Sequence, residues 1–81
     1  MEPLSYIRLS KLPIHQKARV CRLPDNTPLR HRLLALGLIK GTIIEPAFAS
    51  TFGDPCAYYF RGTLLSVRNS DADHILVEPT D

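Results

Sequence analysis

The sequence predicts a mainly β fold, a small barrel of about five strands with one short α-helix between strands 1 and 2. Three observations predict it. Short runs rich in β-branched and aromatic residues alternate with Gly- and Pro-bearing turns along the 81 residues. Only one stretch, Leu29, Leu33 and Leu36, repeats apolar residues at helical spacing. A chain of this length buries only about 60% of its unfolded surface, which is too little to cover two open sheet faces. A sheet that curls on itself, with the helix over one end, resolves that shortage. One domain over residues 1–81 is expected, with its core between about residues 9 and 79.

Each element has a local reason. Leu9-Ser10-Lys11-Leu12-Pro13 reads as an extended or turn-like lead-in. Lys17–Leu23 reads as the first strand, and Pro24-Asp25-Asn26 ends it. The helix runs from about Pro28 to Leu36, with Thr27 as N-cap and Pro28 where a missing N–H costs nothing. Gly37 stands at the left-handed position past the helix end. Leu38 and Leu33 are spaced to make the apolar contact of a Schellman ending. Gly41 supplies the positive φ that a type II turn needs at its third position. Leu29, Leu33 and Leu36 are expected to face the barrel, and Leu34 lies off that stripe.

Thr42–Phe48 is the second strand, in which Pro46 marks an edge or a bulge. Gly53-Asp54-Pro55 is a turn. In Cys56–Arg61, the third strand, Cys56, Tyr58 and Phe60 share one face and Ala57, Tyr59 and Arg61 the other. Gly62 makes a tight hairpin into the fourth strand, Thr63–Arg68. Ser70-Asp71-Ala72-Asp73 resembles a capping box with Asp for Glu and predicts one helical turn. Ile75–Glu78 is the fifth strand, stopped by Pro79.

Composition narrows the function. No apolar run approaches the roughly 20 residues of a membrane helix. Glu2 and Arg8 interrupt the N-terminus, so no signal peptide is expected. Cys21 and Cys56 are too few for a disulfide scaffold and read as reduced thiols, which points to the cytoplasm. The net charge of +2 conceals an asymmetry. Residues 1–40 carry eight Lys and Arg against Glu2 and Asp25, whereas residues 41–81 carry Arg61 and Arg68 against six carboxylates. That pattern suits a basic face that meets an acidic partner surface or a polyanion.

Little in the chain suggests catalysis. His15, His31 and His74 have no nucleophile-elbow sequence beside them, and no phosphate-binding glycine loop occurs. No enzyme activity and no cofactor are expected. Paired zinc-ligand spacings are absent. Asp71, Asp73 and His74 form the only tight cluster of possible metal ligands, although acids at a helix start have a dipole reason of their own. Tyr58-Tyr59-Phe60-Arg61, with Arg19 and Arg22, offers the residue types that stack on single-stranded nucleic acid. The low net charge argues against that use.

Several segments together resemble the ferrous iron transport protein A (FeoA) family. They are Leu9-Ser10-Lys11-Leu12, Lys17-Ala18-Arg19-Val20, Leu29 to Gly41, Gly53-Asp54-Pro55, Leu64–Arg68, and Ala72 with His74-Ile75-Leu76-Val77-Glu78. The most specific element is Arg-x-x-Leu-x-x-Leu-Gly-Leu-x-x-Gly, from Arg30 to Gly41. Lys40 departs from the family, which commonly has Pro there; Thr51-Phe52 and Cys56–Tyr59 are also atypical. The resemblance implies an SH3-like β-barrel. It further implies a non-enzymatic cytoplasmic accessory protein of ferrous iron uptake, acting on the cytosolic part of the membrane transporter FeoB, which includes a GTPase domain. Neither membrane insertion nor a nucleic-acid partner is expected. Arg30, Arg32 and Lys40, the polar residues between the structural leucines and glycines, are the expected partner contacts. Two alternatives are a small iron carrier built on Asp71, Asp73 and His74, and a regulatory domain like the one that ends some metal-dependent repressors.

Overall fold

A computed structural model describes residues 6–80. Six antiparallel strands form one sheet in the order β1-β6-β2-β3-β4-β5. They are β1 (Ile7–Arg8), β2 (Ala18–Arg22), β3 (Ile43–Ala49), β4 (Cys56–Phe60), β5 (Thr63–Val67) and β6 (Leu76–Pro79). The helix α1 (Pro28–Ala35) joins β2 to β3, and the one-turn α2 (Asn69–Ala72) joins β5 to β6. A 3₁₀ turn covers Leu9–Lys11. No helix among the described residues is long and apolar enough to cross a membrane.

The mainly β class and the position of the helix agree with the sequence. The strand missed there is β1, whose two residues pair with Val77 and Leu76. Two residues are too few to show an alternating pattern. The expected closure is also incomplete, because β1 and β5 remain free edges of the sheet. The opening is filled instead. Leu9 N–H donates to the Ile75 carbonyl at 2.8 Å, and Leu9, Leu12, Ala72 and Ile75 are all buried. The 3₁₀ turn and α2 thus supply the apolar cover that closure would have given.

The ends of α1 are built as their residues dictate. Thr27 Oγ1 accepts from Arg30 N–H at 3.2 Å. At the other end Gly37 has φ +94°. Leu38 N–H donates to Leu33 O at 2.9 Å and Gly37 N–H to Leu34 O at 3.0 Å, the two bonds of a Schellman motif. Gly41, also at φ +94°, sits in a turn closed by Thr42 N–H on Ile39 O at 3.0 Å. That turn is fastened to β2, since Gly41 N–H donates to Val20 O at 2.7 Å and Val20 N–H to Thr42 O at 2.9 Å.

The core face of α1 needs one correction. Leu33 is fully buried and Leu29 packs against the core, but Leu36 is 39% exposed. Leu36 is the C-cap at φ −87°, ψ −1°, so helical periodicity no longer governs its direction. Leu38, beyond the left-handed Gly37, takes its place in the core. Leu34 faces solvent, as its spacing predicts.

In β3 a bulge lies between Pro46 and Phe48, at the site the proline marked. Tyr58 and Phe60 of β4 point inward and Tyr59 outward. Ala57 lies on the outer face yet is buried, because it floors a shallow groove walled by Phe48, Leu64 and Pro55. Arg61 (φ +49°) and Gly62 (φ +78°) make the two-residue hairpin of mirror-image turn geometry. The capping box expected at Ser70 does not form: the N-cap of α2 is Arg68, without a side-chain bond. The cap comes from the β3–β4 loop, where Asp54 Oδ1 accepts from Asn69 N–H at 2.9 Å and Asn69 Nδ2 donates to Gly53 O at 3.1 Å. Pro79 closes β6 from within, opposite Ala18.

Leu33→Ala is expected to cost about 2–5 kcal/mol, the range for deleting a buried leucine. Leu36→Ala should cost less than about 1 kcal/mol, as at exposed sites. Urea unfolding of both variants checks the reassigned core face.

Candidate interaction surface

The basic residues of the first half converge where β2 ends and α1 begins. Arg30, in the first turn of α1, donates from Nη1 to the Pro24 carbonyl at 3.0 Å and is half-buried. Lys40 is the second residue of the turn fastened to β2, and Arg22 is the last residue of β2. Together with Cys21, Leu23 and Asp25 they line a surface cleft of about 240 Å³. Arg32 is exposed and does not line it. Two residues along a helix is a turn of about 200°, so Arg32 projects away from Arg30. His31 turns back to the chain before the helix, with Nε2 2.9 Å from Asn26 Oδ1.

Two of the three expected contact residues therefore share a site, and Arg22 joins them. Sequence reasoning grouped Arg22 with Arg19 and the aromatic strand as a nucleic-acid candidate, not with Arg30 and Lys40. Strict alternation would put it on the core face, opposite Cys21. The register of β2 against β6 shifts between Val20 and Arg22, which brings Arg22 outward. The only available signal was the charge itself, which the core could not accept.

Cys21 lines this cleft but offers no nucleophile. Desolvation pushes its thiol above the ordinary range, and the nearby Glu78 carboxylate adds to the effect. Its neutral form dominates at neutral pH. Both cysteines are free, and Cys56 is buried.

Asp71, Asp73 and His74 stay near one another, since His74 lines one surface pocket with Asp71 and another with Asp73, but they do not converge on one point. The Asp73 carboxylate accepts from Ser10 Oγ, tying α2 to the 3₁₀ turn. His74 is exposed and donates its backbone N–H to Asp71 O at 3.1 Å. Among the described residues no group of three His, Cys, Asp or Glu side chains is gathered around a common point. The remaining strand cations are spread out. Arg19 stands opposite Glu78 across the β2–β6 pair, and the Arg61 stem packs beside Gly37 at the α1 C-terminus. Tyr59 stands between Glu45 and Leu64 on the outer sheet face. The one close contact between a basic and an acidic side chain among the described residues is His15 Nδ1 with Glu45 Oε2 at 3.4 Å, near the start of β3.

The described residues thus form a small antiparallel β-domain, plugged by short helices, with a charged cleft at the β2–α1 junction. Comparison with known proteins places it further. The family model described as the FeoA domain matches residues 7–79, and the chain belongs to the FeoA family. It superimposes on the FeoA protein of Chlorobium tepidum with a TM-score of 0.87 at 29% identity, over 93% of this chain and 71% of that one. The FeoA-like protein of Clostridium acetobutylicum gives 0.86 at 32% identity, over 98% and 92%. The FeoA of Stenotrophomonas maltophilia, solved with zinc, is described as a procaryotic SH3 domain protein and a candidate ferrous iron transport activating factor. It gives 0.79 at 28% identity, over 89% of each chain. The SH3-like fold class is thereby established. T. acidophilum IdeR shares the fold, with a TM-score of 0.83 at 23% identity, over 99% of this chain and 37% of that one. No curated protein matches the sequence.

Burial of Tyr58 raises its phenol pKa well above the ordinary value, and the neighbouring Cys56 thiol raises it further. The unfolded chain loses that proton near pH 10, while the folded protein keeps it. The Tyr58 contribution to stability is thus complete below pH 10 and declines as pH rises above it. Relative to Tyr58→Phe, the protein should lose thermal stability only above that pH, as a series of melting curves would reveal.

Proposed function

We propose that this chain is a non-enzymatic cytoplasmic accessory protein of ferrous iron uptake, a protein-interaction module that acts on the cytosolic part of the membrane iron transporter FeoB. Arg30, Arg32 and Lys40 contribute to the contact. The observation that carries the reading is the convergence of Arg30 and Lys40 in one cleft, with no ion-pair partner within 4.0 Å among the described residues. Cations left unneutralised on a folded surface suit an acidic partner and speed its encounter. Family membership supplies the iron-transport context. The relatives from Clostridium thermocellum and Stenotrophomonas maltophilia, described as an iron(II) transport protein A and as a candidate activating factor, support the same role.

On this reading the purified cytosolic part of the transporter retains the wild-type chain in a pull-down, and Arg30→Glu with Lys40→Glu abolishes retention. Ferrous iron uptake falls when the chain is deleted. No retention, together with equal uptake, would refute the proposal. Anaerobic titration with Fe(II) addresses the carrier alternative: His74→Ala is expected to leave any binding unchanged, since Asp73 is engaged by Ser10.

A further inference from the structure

The lining of the cleft at the β2–α1 junction holds three cations, Arg22, Arg30 and Lys40, and one carboxylate, Asp25, with the Glu78 carboxylate near its Cys21 wall. Its components are held in place. The bond to Pro24 O fixes the Arg30 guanidinium and leaves its other N–H groups free for a carboxylate fork. Arg30 also stands in the first turn of an eight-residue helix, where the helix dipole adds favourable potential for an anion. Lys40 is presented by a turn bonded to β2 through Gly41 and Thr42. Preorganisation of this kind lowers the entropy lost on binding.

Size and sign narrow the ligand. At about 240 Å³ the cleft lies below the roughly 300–1,000 Å³ typical of small-molecule sites. It is a notch for one side chain, with apolar Leu23 and the neutral Cys21 thiol beside the cations. Leu23 and the Cys21 thiol give an apolar wall that suits the methylene stem of an Asp or Glu side chain, which inorganic phosphate lacks. That favours a side-chain carboxylate over a phosphate.

We infer that the cleft lined by Arg22, Arg30 and Lys40 is a docking notch for a single Asp or Glu side chain of a protein partner. The inference rests on the interaction-module reading for the partner being a protein, and it excludes Arg32 from the anchor. The probe is a blocked pentapeptide, acetyl-Gly-Leu-Glu-Leu-Gly-amide, titrated into the isotope-labelled full chain by NMR. Its Gln counterpart and inorganic phosphate are the comparison ligands. The Glu peptide should shift the amides of Arg22, Leu23, Asp25, Arg30 and Lys40, and the Gln peptide should not. Arg22→Gln and Lys40→Gln, both at exposed positions, should each weaken binding about tenfold, a difference of about 1.4 kcal/mol. Lys11→Gln, at an exposed position outside the cleft, should leave it unchanged. Absence of localised shifts, equal binding of the Gln peptide, tighter binding of phosphate, or equal weakening by Lys11→Gln would each overturn the notch. If the transporter's cytosolic part binds but ignores Arg22→Gln, the notch fails and the interaction module stands. If the Glu peptide docks and the transporter does not bind, the module reading fails and the notch stands.

Discussion

Val20 holds the molecule together through two backbone bonds. Its carbonyl accepts from Gly41 at 2.7 Å and its N–H donates to Thr42 at 2.9 Å. These bonds return the chain to β2 directly after α1, and they exist only because the turn can adopt its shape. Gly41 at φ +94° has nothing within 4 Å of where a Cβ would stand, so the restriction there is one of backbone conformation and not of space. Once the turn is fastened, α1 must lie across the end of the sheet, Leu33 and Leu38 must enter the core, and Lys40 must stand beside Arg22. Core and cleft therefore share one constraint.

The opposite end is held by polar ties between segments distant in sequence. Asp54 caps α2 from the β3–β4 loop, Asp73 receives Ser10, and Leu9 bonds to Ile75. Each tie fastens a short element that could not persist alone: a one-turn helix and a 3₁₀ turn fall far below the length at which isolated helices form. Their placement compensates for the incomplete closure of the sheet. Asp73, one of the three residues that the sequence offers as metal ligands, is part of this framework, as is Asp54.

What was legible in the sequence was mostly local. The Thr27 cap, the Gly37 ending, the Gly41 turn, the Gly62 hairpin and the Pro46 bulge each follow from residues within a few positions, and each forms. What escaped was set by distant partners. Strand β1 exists because Val77 and Leu76 are there to pair with it. The α2 cap lies fifteen residues upstream. Leu36 leaves the stripe because the helix has already ended. The make-up of the cleft was legible only in part. Arg30 and Lys40 stand out as polar residues in a structural motif, but only the shifted register of β2 brings Arg22 to them, and only helical geometry turns Arg32 away.

Strands β1 and β6 pair side by side, with Ile7 opposite Val77 and Arg8 opposite Leu76. The polypeptide thus enters and leaves the fold at neighbouring points. A unit with adjacent entry and exit can be joined to other domains without disturbing its core. The same architecture accounts for 37% of T. acidophilum IdeR and 35% of the cadmium-bound ScaR chain. The first and last strands of this sheet act as a plug connector, which lets one small β-domain serve within much longer chains.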